Sequence, residues 1–220
     1  MIRCCIFDLD GTLLNTLEAL TLTTNLVLEH FGYGPLDETH IKQFVGDGYK
    51  LLMERALRFS GDETLEHYEE SLEVYTELFA KHCMYHVKPY DGIVELLAEL
   101  KQRGIKIAVL SNKPHERTVE NIEAMFGRGY FDSVAGEQPG IPKKPDPAGV
   151  WRILERFGAK PEEALYFGDT NTDMKTGLGA GLHTVGVTWG FRDRAELESF
   201  QPEFVIDHPG EIMNYISNHR

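Results

Sequence analysis

The chain has 220 residues, with 22 Lys and Arg against 35 Asp and Glu and a formal charge of -13. That length suits a core domain with a smaller insert, and that charge repels nucleic acid and anionic membrane, which leaves a small molecule as the expected partner. No run approaches the roughly 20 apolar residues that a bilayer span needs, and Cys4, Cys5 and Cys83 show neither metal-site nor disulfide-framework spacing. Met1 leads straight into an apolar run and not into a cleavable signal, so a reducing, cytoplasmic setting is expected.

The first predicted strand is Cys4 to Phe7, and it ends in Asp8-Leu9-Asp10-Gly11-Thr12. Side chains two apart on extended backbone point the same way, so Asp8 and Asp10 leave the strand tip together. Two carboxylates so close favour a bound cation or a proton held on one of them, the asymmetry that a nucleophile beside a general acid requires. Gly11 then permits a sharp departure.

From Asn15 to Tyr85 the pattern is helical. Leu17, Leu20, Val27, Leu28 and Phe31 form one apolar stripe, and Leu65, Tyr68, Leu72, Tyr75 and Phe79 form another. Asn15 is placed to cap the first of these helices, with Glu18 completing a capping box. Pro89 and Gly92 mark the return, so the expected division is a core of residues 1–14 and 87–220 and a helical insert of residues 15–86.

Beyond the insert, apolar runs at Ile105 to Leu110, Ala164 to Phe167 and Thr184 to Val187 alternate with helical stripes such as Ile93, Leu96, Leu97 and Leu100. Strands buried on both faces and alternating with helices predict a doubly wound, Rossmann-like parallel α/β sheet. The second strand ends in Ser111-Asn112-Lys113-Pro114, where a hydroxyl and the amides of a starting helix make an anion site. Lys144 precedes Pro145, with Asp146 as cap and Pro147 in the first turn of the next helix, which holds Lys144 at a fixed point. After the next strand comes Gly168-Asp169-Thr170-Asn171-Thr172-Asp173; a helical turn returns Asp173 to the side of Asp169, and such hard oxygen ligands suit Mg2+. Taken alone, the motifs read at least as well as a turn, a cap, a solvated lysine and a polar loop. Four of them in order at successive strand tips, where open α/β sheets bind ligands, point to one site.

These four motifs resemble those of the haloacid dehalogenase-like hydrolase superfamily, over essentially the whole chain, and the insert resembles the helical cap of its subclass I. The resemblance implies that Asp8 attacks phosphorus and becomes an acyl phosphate, while Asp10 protonates the leaving oxygen and then takes a proton from water. It further implies that Asp8, the Asp10 backbone carbonyl and Asp169 hold Mg2+, with Asp173 in support, and that Thr12, Ser111, Asn112 and Lys144 meet the substrate phosphate. Relatives that act as dehalogenases lack a second aspartate such as Asp10, which favours phosphate chemistry. Where many relatives carry Asp, this chain has Asn15.

Within the superfamily the chain is most similar to the phosphoglycolate phosphatases, through Val45-Gly46-Asp47-Gly48, Pro89-Tyr90-Asp91-Gly92 and Val187-Thr188-Trp189-Gly190. The implied substrate is a small phosphorylated metabolite, 2-phosphoglycolate first, with Lys50 and Arg55 meeting its carboxylate and the insert closing over the sheet to exclude water. The implied assembly is a monomer or homodimer. The same chemistry serves a β-phosphoglucomutase-like phosphosugar mutase, a pyrophosphatase or a sugar-phosphate phosphatase. A receiver-type signalling module is shorter and has no reason to carry a helical insert.

Overall fold

A computed structural model describes residues 1–218. In chain order the elements are β1 (Cys4–Phe7), β2 (Leu14–Asn15), α1 (Leu17–His30), α2 (Glu38–Phe44), α3 (Tyr49–Phe59), α4 (Tyr68–His82), β3 (Lys88–Pro89), α5 (Ile93–Gln102), β4 (Lys106–Pro114), α6 (His115–Phe126), β5 (Ser133–Glu137), α7 (Ala148–Phe157), β6 (Ala164–Gly168), α8 (Asn171–Ala180), β7 (His183–Val187), α9 (Arg194–Ser199), β8 (Phe204–Ile206) and α10 (Ile212–Asn218). They form two compact units, Met1–Leu14 with Pro89–Arg220, and Asn15–Lys88.

The first unit is the α/β sheet domain. Its six strands run parallel in the order β5-β4-β1-β6-β7-β8. Chain order climbs from β1 to β4 and β5 on one side and resumes at β6 on the other, so the topology switches beside β1, the kind of position at whose carboxyl ends open α/β sheets bind ligands. Register makes the tips coincide: Phe7 pairs with both Val109 and Phe167. Both faces are covered. Cys4, Ile6, Ala108, Leu110, Ala164 and Tyr166 pack with Val150, Ile153 and Leu154 of α7 on one side. The alternate residues Cys5, Phe7, Ile107, Val109, Leu165 and Phe167 are equally buried, and the Phe7 and Phe167 rings stack at 4.5 Å.

Four helices, α1 to α4, build the second unit around Val27, Leu28, Ile41, Met53, Leu57, Tyr75 and Phe79. The stripe expected to begin at Leu65 enters its helix only at Tyr68, because Leu65 adopts a φ of 59° outside it. Asp62 organises that entry by accepting from the Glu66 and His67 amides at 2.8 and 3.0 Å. Asn15 and Glu18 do not form a capping box. Thr16 is the N-cap residue and makes no side-chain cap bond, Asn15 Oδ1 accepts from Leu17 N at 3.3 Å, and Glu18 is drawn instead to His86 Nδ1 at 2.6 Å.

Candidate active site

Chain geometry at the tip of β1 puts Asp8 at the centre. Asp8 N donates to Phe167 O, so the strand is still paired there, and Asp8 Oδ1 accepts from the next amide, Leu9 N, at 2.7 Å. Immediately afterwards the backbone turns through Gly11 at φ +87°, and a Cβ at that position would lie 2.2 Å from Asp169 Oδ2. Glycine is thus required twice, for the left-handed conformation and for the close approach of a carboxylate.

Asp169 stands just beyond the end of β6 with 0% exposure. Its Oδ1 accepts from the Thr12 hydroxyl at 2.9 Å and its Oδ2 from Phe191 N at 2.8 Å. Thr12 therefore commits its donor to the acidic cluster. Asp173 returns one turn into α8 because Thr170 caps that helix: Asp173 Oδ2 accepts from Thr170 N and from the Thr170 hydroxyl. The other oxygen, Oδ1, faces inward and accepts from Lys144 Nζ at 2.7 Å and the Tyr166 hydroxyl at 3.1 Å. One carboxylate oxygen from each of Asp8, Asp169 and Asp173 lies within 4.8 Å of the others.

Lys144 sits among them, 3% exposed, with Nζ 2.7 Å from both Asp8 Oδ1 and Asp173 Oδ1. Asn112 fixes its backbone in both directions: Lys144 N donates to Asn112 Oδ1 and Asn112 Nδ2 donates to Lys144 O, each at 2.9 Å. The following helix begins one residue later than expected. Pro147 is the N-cap residue of α7, and Asp146 accepts from Ala148 N as a turn just before it.

Ser111 and Asn112 also differ from expectation. No helix starts there; β4 continues to Pro114, with an irregularity between Leu110 and Pro114, and α6 opens at His115. Ser111 Oγ accepts from Lys113 N at 3.1 Å. The extension carries Lys113 inward, where its Nζ lies 2.7 Å from Asp10 Oδ1.

Among the described residues, four carboxylates, Asp8, Asp10, Asp169 and Asp173, thus face two ammonium groups, Lys113 and Lys144. Asp8 and Asp169 are both shifted upward. Burial, with Asp173's charge next, raises Asp8 well above the carboxylate range against the pull of Lys144. Burial and Asp173 together push Asp169 up to about 7. Burial alone would discharge Lys144, but Asp173 and Asp8 outweigh it and hold the ammonium form. A buried, oxygen-rich cluster short of positive charge fits a small divalent cation.

The family model for haloacid dehalogenase-like hydrolases matches residues 5–187. The chain belongs to that family. Among curated relatives of this hydrolase, the phosphoglycolate phosphatase of Aquifex aeolicus is 32% identical over 221 residues, covering 99% of this chain and 98% of that one. The Pectobacterium atrosepticum phosphoglycolate phosphatase is 30% identical over 99% of this chain and 93% of its own. Among solved structures, a predicted phosphoglycolate phosphatase from Haemophilus somnus superposes with a TM-score of 0.89 at 26% identity over 98% of each chain. CbbY from Rhodobacter sphaeroides, in complex with phosphate, does so at 0.79 and 26% over 96% of each.

Several residues of the hydrolase's site escaped the sequence reading. Lys113 stood inside a noted motif without a role, and only its contact with a residue 103 positions away reveals one. Tyr166 reads as a core aromatic until its hydroxyl meets Asp173. Trp189 donates its indole N–H to Thr12 O at 3.0 Å and steadies the turn after Asp10. Tyr90, whose phenol burial and the nearby charges of Asp169 and Asp10 push up, flanks the same turn. Lys50 and Arg55 belong to α3 of the helical unit, where the Arg55 guanidinium donates to Phe44 O and Asp47 Oδ2, both at 2.6 Å.

Proposed function

We propose that this hydrolase cleaves 2-phosphoglycolate through a phospho-aspartate formed on Asp8. It is a phosphatase acting on a small phosphate monoester. The observation that supports the mechanism best is the position of Asp8: a carboxylate 5% exposed at the strand tip, paired with Lys144 and grouped with two further buried carboxylates.

Asp8 attacks phosphorus in line; as the new P–O bond forms, the ester P–O bond breaks and the leaving oxygen takes a proton from Asp10. Asp10 then removes a proton from a water whose oxygen attacks the acyl phosphate, releasing Asp8 and inorganic phosphate. Ser111, the Asn112 backbone N–H and Lys144 bind the transferring oxygens, and Asp173 and Asn112 keep Lys144 in place. Asp8, Asp169 and the Asp10 backbone carbonyl would hold Mg2+, which supplies charge neutralisation for the phosphoryl group in transit. Phosphoryl transfer asks mainly for positioning and electrostatics, and the set of residues supports both.

The substrate assignment draws on the relatives' names, and the net charge of -13 and the three free cysteines support action in the cytoplasm on a small metabolite. No helix among the described residues is long and apolar enough to cross a membrane. Phosphate release from a panel of esters with Mg2+ tests the reading. It predicts 2-phosphoglycolate at or near the top by kcat/KM, and a rank far below sugar phosphates or pyrophosphate overturns the substrate.

A further inference from the structure

We propose that Lys113 is a positioning residue for the acid–base step, its buried ammonium aiming the Asp10 carboxylate at the leaving oxygen. The inference rests on the phosphatase reading above and assigns a residue which that reading leaves without a task.

Asp8, Asp169 and Asp173 are each held by two or more donors. Asp10 differs. Among the described residues its carboxylate is tethered by Lys113 alone, at 2.7 Å. The Asp10 side chain is 19% exposed, at the start of a turn, whereas that of Lys113 is 4% exposed. A lysine is rarely buried unless paired. Its backbone is pinned on both sides, with Lys113 N donating to Ser111 Oγ and Thr118 Oγ1 donating to Lys113 O. The stem is therefore a fixed post, and the more exposed Asp10 carboxylate is the end that it orients.

In the first half-reaction the Asp10 proton passes to the leaving oxygen as the ester bond breaks, and Lys113 lies against the carboxylate that remains. In the second, Asp10 recovers a proton from the attacking water, and Lys113 is unchanged. Its contribution scales with how much the leaving group needs that proton. An alkoxide needs it, and p-nitrophenolate hardly does.

Steady-state kinetics on 2-phosphoglycolate, or whichever alkyl phosphate a substrate panel ranks above it, and on p-nitrophenyl phosphate test the idea. Lys113→Met is expected to lower kcat on the alkyl ester by about 100-fold and on p-nitrophenyl phosphate by less than about fivefold, with KM unchanged on both. Lys113→Arg keeps the charge in altered geometry, so about tenfold of the alkyl-ester loss returns while the aryl ester is spared. Lys113→Met added to Asp10→Asn causes no further loss on the alkyl ester.

Equal losses on the two esters, undiminished alkyl-ester turnover in Lys113→Met, or additive losses with Asp10→Asn overturn the proposal. Should Lys113→Met fail to fold, Lys113→Arg decides by the same comparison, equal losses again being fatal. A wild-type protein that cleaves neither ester contradicts the phosphatase reading itself, a different result from any of these.

Discussion

Asp8 and Asp169 are carboxylates that burial disfavours as anions, and Asp173 adds a like charge to each. Lys144 pairs with Asp8 and Asp173, while among the described residues Asp169 accepts hydrogen bonds from the neutral donors Thr12 and Phe191 N. The two residues are therefore expected to fail differently when made amides. Asp8→Asn is nearly isosteric but is not a competent nucleophile, so turnover should fall by at least about 10⁴-fold with melting temperature preserved. Asp169→Asn should instead raise the Mg2+ concentration for half-maximal rate by about tenfold or more, read from a metal titration. The cysteines offer a second residue-scale test. Burial pushes the Cys4 thiol up to about 12 and raises Cys5 as well, so at pH 8 only about one Cys4 in ten thousand is the reactive thiolate. Ellman's reagent should label neither in the native protein and both after unfolding; prompt labelling of the folded chain would show that the first strand is not packed as described.

At the level of single elements, the start of α4 depends on Asp62. Burial alone would raise that carboxyl, but the His67 and Glu66 amides outweigh it and hold it below its usual range. A depressed folded value means that the stabilisation is fully present above the unfolded pKa near 4 and is lost as pH falls through the lower folded value. Asp62→Ala should cost about 1 kcal/mol at pH 7, and the difference from wild type should vanish in denaturant melts at acid pH. A constant difference across that range would mean that the side chain acts through packing and not as a charged acceptor. Elements differ in how plainly the sequence marks them. Strands β1, β6 and β7 are legible because apolar runs end at polar tips. Ser133–Glu137 is not, since an edge strand of Ser, Gly and Glu is only partly buried and lacks an apolar run. The extension of β4 through Ser111-Asn112-Lys113-Pro114 is hidden for another reason: the residues look like a cap, and the distant partners that the extended segment meets, Glu137 beside Pro114 and Lys144 beside Asn112, are not marked locally.

For the molecule as a whole, the site is assembled from segments as distant as Asp8, Lys113, Lys144 and Asp169, and register does the assembling. That is why the acidic tips are readable one by one from sequence, while the two buried lysine pairings are not: nothing local marks which carboxylate each lysine meets. A cluster with four carboxylates and two ammonium groups should also make global stability depend on divalent cation. Saturating Mg2+, at about 100 times its dissociation constant, adds about 2.7 kcal/mol by mass action and should raise the melting temperature by several degrees. EDTA should remove both the shift and the activity. A melting temperature indifferent to Mg2+ in an enzyme that needs the metal would place the cation outside the buried cluster.

The central claim is that phosphorus is carried on Asp8. Acid quench during turnover, reduction of any acyl phosphate with borohydride and peptide mapping test it directly. Homoserine is expected at position 8 and nowhere else, in proportion to the enzyme trapped. Steady phosphate release with position 8 unmodified, or modification at another carboxylate, would contradict it.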